Sequence, residues 1–217
     1  MNKGVAYMGL SVFFFAIMNV AIKYIEHLPT LELVLFRALI AASIAFTTLK
    51  VKGISPWGNR KMLLLLRGLL GFIALTLFIA SIQNLPLATA LIIQYMSPFF
   101  VAILGIFILK ERMRPLQWLY FAIAFAGVAM IKGFDPNVKM LFLMMGLVSC
   151  IFSGMAYTTV RFLKDSDHPL VVTFYFPLVT IPIALALMLG NQLLPTSLAG
   201  FGWEMPQGID WLWIVVM

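Results

Sequence analysis

Arg37 stands two turns inside the run Thr30–Leu49, where the only other charge is Glu32. A guanidinium has five donors and no acceptor, so it can hold an oxyanion, pair with Glu32 five positions earlier, or extend back to the end of the run. Asn19 and Lys23 are four apart in the run Gly4–Ile25 and share one face of a helix. With Arg37 they would make a cationic vestibule suited to a carboxylate or a zwitterion; Lys23 alone could instead reach the lipid headgroups. Gln94, Tyr95 and Ser97 lie within one turn of Pro98 in a run that stays uncharged from Leu85 to Leu109. Proline removes one backbone N–H and frees a carbonyl. In lipid such a break survives only where protein or a water-filled cavity satisfies the freed group. The cluster is therefore expected to point inward, either as substrate-binding groups or as hydrogen-bonding glue between helices. Tyr157 and Tyr175 add phenols in later runs.

Other chemistries lack their residues. There is no HExxH, no GxSxG and no P-loop, and the aspartates all fall in connections or at helix ends. An intramembrane enzyme and an ATP-driven pump are both disfavoured. One cysteine, Cys150, permits no internal disulfide, and no His/Cys spacing reads as a metal site. No cofactor is implied.

The elements that must position these groups follow from composition. Of the residues, 63% are hydrophobic and 11% charged, against about 25% charged in a soluble domain. The chain is thus read as an all-α integral membrane protein whose natural partner is the lipid bilayer. A net charge of +7 does not indicate nucleic acid, because the basic residues stand at the ends of apolar runs, where they meet headgroups. Helices are predicted over Gly4–Ile25, Thr30–Leu49, Lys61–Gln83, Pro86–Leu109, Gln117–Ile131, Val138–Leu163 and Pro169–Gly190, with an eighth beginning near Ile209. Lys and Arg concentrate in alternate connections: Lys50, Lys52, Arg60 and Lys61, then Lys110, Arg112 and Arg114, then Arg161 and Lys164. The positive-inside rule places those connections, and with them the N-terminus, in the cytoplasm.

A weak internal repeat runs through the chain. "MGLSVFFFAIMNVAIKYI" (Met8–Ile25) resembles "MGLVSCIFSGMAYTTVRFL" (Met145–Leu163), and "LELVLFRALIAASIA" (Leu31–Ala45) resembles "LVVTFYFPLVTIPIA" (Leu170–Ala184). The first helix recurs as the sixth. An odd spacing of five helices inverts the second copy, an arrangement common in secondary transporters.

The stretch "LPLATALIIQYMSPFFVAILGIFILKERMRPLQWLYFAIAFAGVAMI", with "FRALIA" at Phe36–Ala41, resembles the EamA-like family of the drug/metabolite transporter superfamily. "RGLLGFIALTLFIASIQNLPLATA" is most similar to its branch of S-adenosylmethionine, riboflavin and related metabolite carriers. The resemblance implies ten helices in two inverted five-helix repeats. These would be residues 1–132 and a second, incomplete copy at 138–217, giving seven full transmembrane helices plus a stub. It also implies a secondary transporter of a small organic metabolite in a bacterial inner membrane. A channel, a non-transporting scaffold and an inactive fragment are the alternatives. Glu111 matches the family's glutamate at the exit of the fourth helix and is read as structural, neutralising Lys110 and Arg112. The final run Ile209–Met217 has nine residues, roughly 13 Å of helix, too short for a hydrocarbon core of about 30 Å. A chain truncated there is expected to need another chain, such as a homodimer partner, to complete its central site.

Overall fold

A computed structural model describes residues 3–109, 115–134, 139–193 and 202–217, and every regular element among them is a helix. In chain order these are α1 (Lys3–Tyr24), α2 (Thr30–Val51), α3 (Lys61–Asn84), α4 (Leu87–Gln94), α5 (Ser97–Leu109), α6 (Pro115–Phe134), α7 (Met140–Leu163), α8 (Pro169–Leu193) and α9 (Asp210–Val216). Six spans within the described residues are long and apolar enough to cross a membrane: α1, α2, α3, α4 with α5, α7 and α8.

The expected fourth helix is two helices. Tyr95 donates to the carbonyl of Leu91 at 3.0 Å, the last regular bond of α4. Met96 then bonds Ile93, and Phe99 bonds Met96, three residues back instead of four, at 2.9 and 3.0 Å. Pro98 cannot donate to the carbonyl of Gln94, so the ladder tightens and restarts there. Elsewhere the hydroxyls that would be costly in lipid bond back along their own helices. Ser43, Thr47, Thr48, Thr158 and Thr180 each donate to the carbonyl four residues earlier, at 2.7–2.9 Å.

Burial runs in the sense a bilayer demands. Tyr7, Met8, Phe13 and Phe14 on α1 are largely exposed, while Asn19, Glu32, Ser149 and Thr180 are fully buried. The core forms where α3 packs against α7 and α8, α2 against α8, and α5 against α7. Gly68 makes one of these approaches possible. A Cβ there would stand 2.7 Å from Val179 Cβ on α8 and 3.1 Å from the carbonyl of Tyr175. Gly68→Ala should therefore cost about 1–3 kcal/mol through overpacking. The check is thermal unfolding of the purified protein in detergent; an unchanged midpoint would contradict this packing.

The described connections fall at two opposite ends of the bundle. At one end, His27 Nε2 meets Asp210 Oδ2 at 3.2 Å, and the Glu204 amide donates to Glu32 Oε2 at 3.0 Å. Tyr24 stacks on Trp213 with ring centroids 4.9 Å apart, and Phe36 lies against Trp203 and Trp211. The Gln207 amide, with His27 beside it, holds the Asp210 carboxyl below the usual carboxylate range. At the opposite end, the Asn59 amide donates to Asp167 Oδ1 at 2.5 Å, and the Asn59 side chain donates to the carbonyl of Ser166 at 2.6 Å.

Candidate functional site

A cavity of about 280 Å³ opens in the middle of the bundle. Its walls come from α1 (Phe15), α2 (Arg37), α3 (Arg67, Gly71, Ala74, Leu75, Phe78), α4 (Gln94), α7 (Ser153, Ala156, Tyr157) and α8 (Phe176). Two guanidiniums therefore face one small space with no carboxylate in its wall among the described residues. Arg37 Nη1 and Arg67 Nε and Nη1 are buried without a hydrogen-bond partner among the described residues. Glu32, the partner that sequence alone offered to Arg37, makes no bond to it: its Oε2 accepts from the Glu204 amide, and its Oε1 is buried without a partner among the described residues.

Arg67 was not singled out by sequence reasoning. Its signal is nonetheless visible: a cation six positions beyond Lys61, inside an apolar run, the same anomaly as Arg37. The fold holds it in two ways. Its guanidinium lies 5.5 Å over the ring of Phe176, a cation–π distance. Gly71, one turn on, leaves the room it occupies, because a Cβ there would collide with Arg67 Nη1 and the Phe176 ring.

Gln94 is both a wall of the cavity and part of a polar network with α7. Its Nε2 donates to Ser153 Oγ at 3.4 Å, and Ser149 and Cys150 approach its Oε1 at 3.5 and 3.8 Å. Ser149 also donates to the carbonyl of Ala74 at 2.7 Å, so the network ties α3, α4 and α7 together. Binding and bundle cohesion meet in this one amide.

Ser97 and Pro98 line a second cavity of about 390 Å³ with Val101, Ala102, Tyr157 and Arg161. Tyr157 lines both cavities. Tyr95, in contrast, is 66% exposed and lines neither. One residue along a helix turns about 100°, so the residue after the inward Gln94 points away.

Three further candidates lie outside the central cavity. Lys23 donates to the carbonyls of Ile82, Gln83 and Leu85 at 3.2 Å each and pairs with Glu26, closing the C-terminal end of α3. Asn19 is fully buried and gives its Nδ2 to the carbonyl of Phe15 at 2.7 Å, leaving Oδ1 without a partner among the described residues. Tyr175 is buried in an apolar cluster with Leu49, Leu64 and Leu163 at the Asp167 end. Glu111 lies outside the described residues. The described residues hold no grouping of His, Cys, Asp and Glu that would ligate a metal.

Comparison with known proteins gives the fold a context. Residues 2–133 match the family model for the EamA-like transporter family. The pseudopaline exporter of Pseudomonas aeruginosa is 29% identical over 96% of this chain and 74% of its own length. Human solute carrier family 35 member G1 is 27% identical, covering 88% of this chain and 57% of that protein. The S-adenosylmethionine uptake transporter of Rickettsia prowazekii is 26% identical over 90% of this chain and 67% of the relative. One solved crystal structure superposes with a TM-score of 0.57 at 18% identity, covering 94% of this chain and 70% of that one, a likeness of fold alone.

Proposed function

The chain belongs to the EamA-like transporter family, and from that premise we propose that it is a secondary transporter that carries a small organic metabolite by alternating access, with the central cavity as its substrate site. The observation that carries this reading is the pairing of helices around the cavity. Take α7, α8 and α9 as inverted second copies of α1, α2 and α3. Then the packing of α3 on α7 has its counterpart in α9 on α1, that of α3 on α8 in α9 on α2, and α2 on α8 maps onto itself.

The polar ties at the two ends obey the same exchange. Asp167, two residues before Pro169, faces the start of α3; His27, two residues before Pro29, faces Asp210 at the start of α9. This pairing supports repeats at 1–132 and 138–217, related by a two-fold axis in the membrane plane. The cavity then lies between the copies, where such transporters bind substrate. A rocking of one copy against the other would make and break the two sets of end contacts in turn.

Exchange in liposomes tests the function. Vesicles holding the purified protein and loaded with a bacterial metabolite extract should exchange at least one solute saturably with an isotope-labelled external extract, read by mass spectrometry. Exchange with trans-stimulation identifies a carrier. Unsaturable leak would mean a channel, and no exchange a scaffold.

Orientation is tested separately. Trp57 and Met205 are well exposed and lie in the connections at opposite ends, whereas the sole native cysteine, Cys150, is fully buried. In intact cells, Trp57→Cys should be shielded from an impermeant maleimide and Met205→Cys labelled, with Cys150 silent. The reverse pattern would overturn the cytoplasmic N-terminus.

A further inference from the structure

Two cations share the central cavity, and among the described residues of its wall there is no acid to neutralise them. Charged side chains inside a membrane protein are expensive, and they normally pair with one another, with backbone carbonyls or with what passes through. Arg37 and Arg67 do none of the first two with Arg37 Nη1, Arg67 Nε or Arg67 Nη1. One N–H of the Gln94 amide already points to Ser153, and the Tyr157 phenol is a further donor in the wall. Both guanidiniums line the cavity and carry the unmatched donors. An ionised carboxylate has two oxygens with about four acceptor sites and matches that set; charge-assisted bonds from arginine are the strong, oriented kind. The rest of the wall is apolar and aromatic, with Phe15, Leu75, Phe78, Ala156 and Phe176. At about 280 Å³ the space falls just below the range for ligand sites, roughly 300–1,000 Å³, which favours a small ligand.

We propose that the cavity binds a small organic carboxylate, its carboxylate held by Arg37 and Arg67 and its apolar body against Phe15, Phe78 and Phe176. This rests on the transporter reading for its physiological meaning, but the binding itself does not depend on transport. It also assigns the arginines a cost. In the empty protein they leave buried donors unmet, so they hold the cavity ready at the expense of stability.

The experiment is binding to the full 217-residue chain in nanodiscs of zwitterionic lipid, at fixed ionic strength, followed by thermal unfolding. The probe is benzoate. Benzamide and benzylamine are its neutral and cationic counterparts of like shape, and sulfate reports a plain anion site. Benzoate at millimolar concentration should raise the unfolding midpoint by several degrees, and the other three should not. Arg37→Gln and Arg67→Gln should each weaken the benzoate response at least tenfold in concentration. Without ligand, Arg67→Gln should unfold at an equal or higher temperature than the wild type, which a residue with a purely structural role would not do.

Failure of benzoate to stabilise the protein overturns the proposal. So do equal responses to benzoate and benzamide, an equal response to sulfate, or a benzoate response that survives the double substitution. The transporter reading fails separately. Saturable exchange of neutral or cationic metabolites by the double variant would remove the carboxylate assignment and leave the carrier standing. Benzoate binding in a wild type that exchanges nothing would do the opposite.

Discussion

Arg37→Ala should lower saturable transport roughly 10- to 100-fold while the protein still inserts and purifies as a folded membrane protein. A hydrogen bond to a charged group is worth about 1.5–3 kcal/mol, and about 1.4 kcal/mol is a factor of ten in affinity. Arg37 lines the cavity, and its Nη1 has no partner among the described residues. Because Glu32 is bonded to the Glu204 amide, removing Arg37 strands no acid and should cost little stability. Arg37→Lys should recover only part of the loss, since an ammonium keeps the charge but not the planar fork. Uptake by the alanine variant at the wild-type rate would show that Arg37 serves only to anchor α2.

Asp167→Ala should be among the most destabilising single changes at the connections, by about 2 kcal/mol. Asp167 is largely buried and accepts from the Asn59 amide at 2.5 Å, the Arg60 amide at 3.4 Å and the Ser166 hydroxyl at 2.8 Å. The two amides precede α3 (Lys61–Asn84), so a side chain from another connection does the work of a cap for that helix. Loss of a capping acceptor costs about 0.5–2 kcal/mol, and an amide left buried without a partner adds to it. Asp167→Asn keeps an acceptor oxygen and should lose about half as much. His27→Ala, at the opposite end, should lose least, because the His27 side chain is 54% exposed and water can replace it at Asp210. Thermal unfolding of the three variants in one detergent gives the order. A larger loss for His27→Ala than for Asp167→Ala would contradict this account of the two ends.

Much of the molecule was legible without coordinates. The apolar runs are long because a helix must cross about 30 Å of hydrocarbon with every backbone group satisfied. Length and composition alone therefore located α1, α2, α3, α7 and α8 to within a few residues. Pro98 marked the break in the fourth run for a similarly local reason, the lack of one N–H. Arg37 stood out because a charge inside an apolar run is costly wherever the helix happens to pack.

Tertiary structure decided which polar groups meet. Gln94 and Tyr95 are neighbours in sequence with equal claims to a site, yet one lines the cavity and the other is 66% exposed. The rotation of α4 about its axis sets that difference, and it depends on the surface of α7. Lys23 and Arg37 both looked like cations of one vestibule. The end of α3 arrives beside Lys23 and offers it three carbonyls, whereas Arg37 Nη1 meets none among the described residues. Arg67 joins Arg37 only because Gly71 and Phe176 shape a place for it beside α8. Periodicity and hydropathy describe one helix at a time, so the sequence by itself determined the helices and their anomalies. Whether two anomalies on different helices share a cavity depends on interhelix packing, and that only the fold could decide.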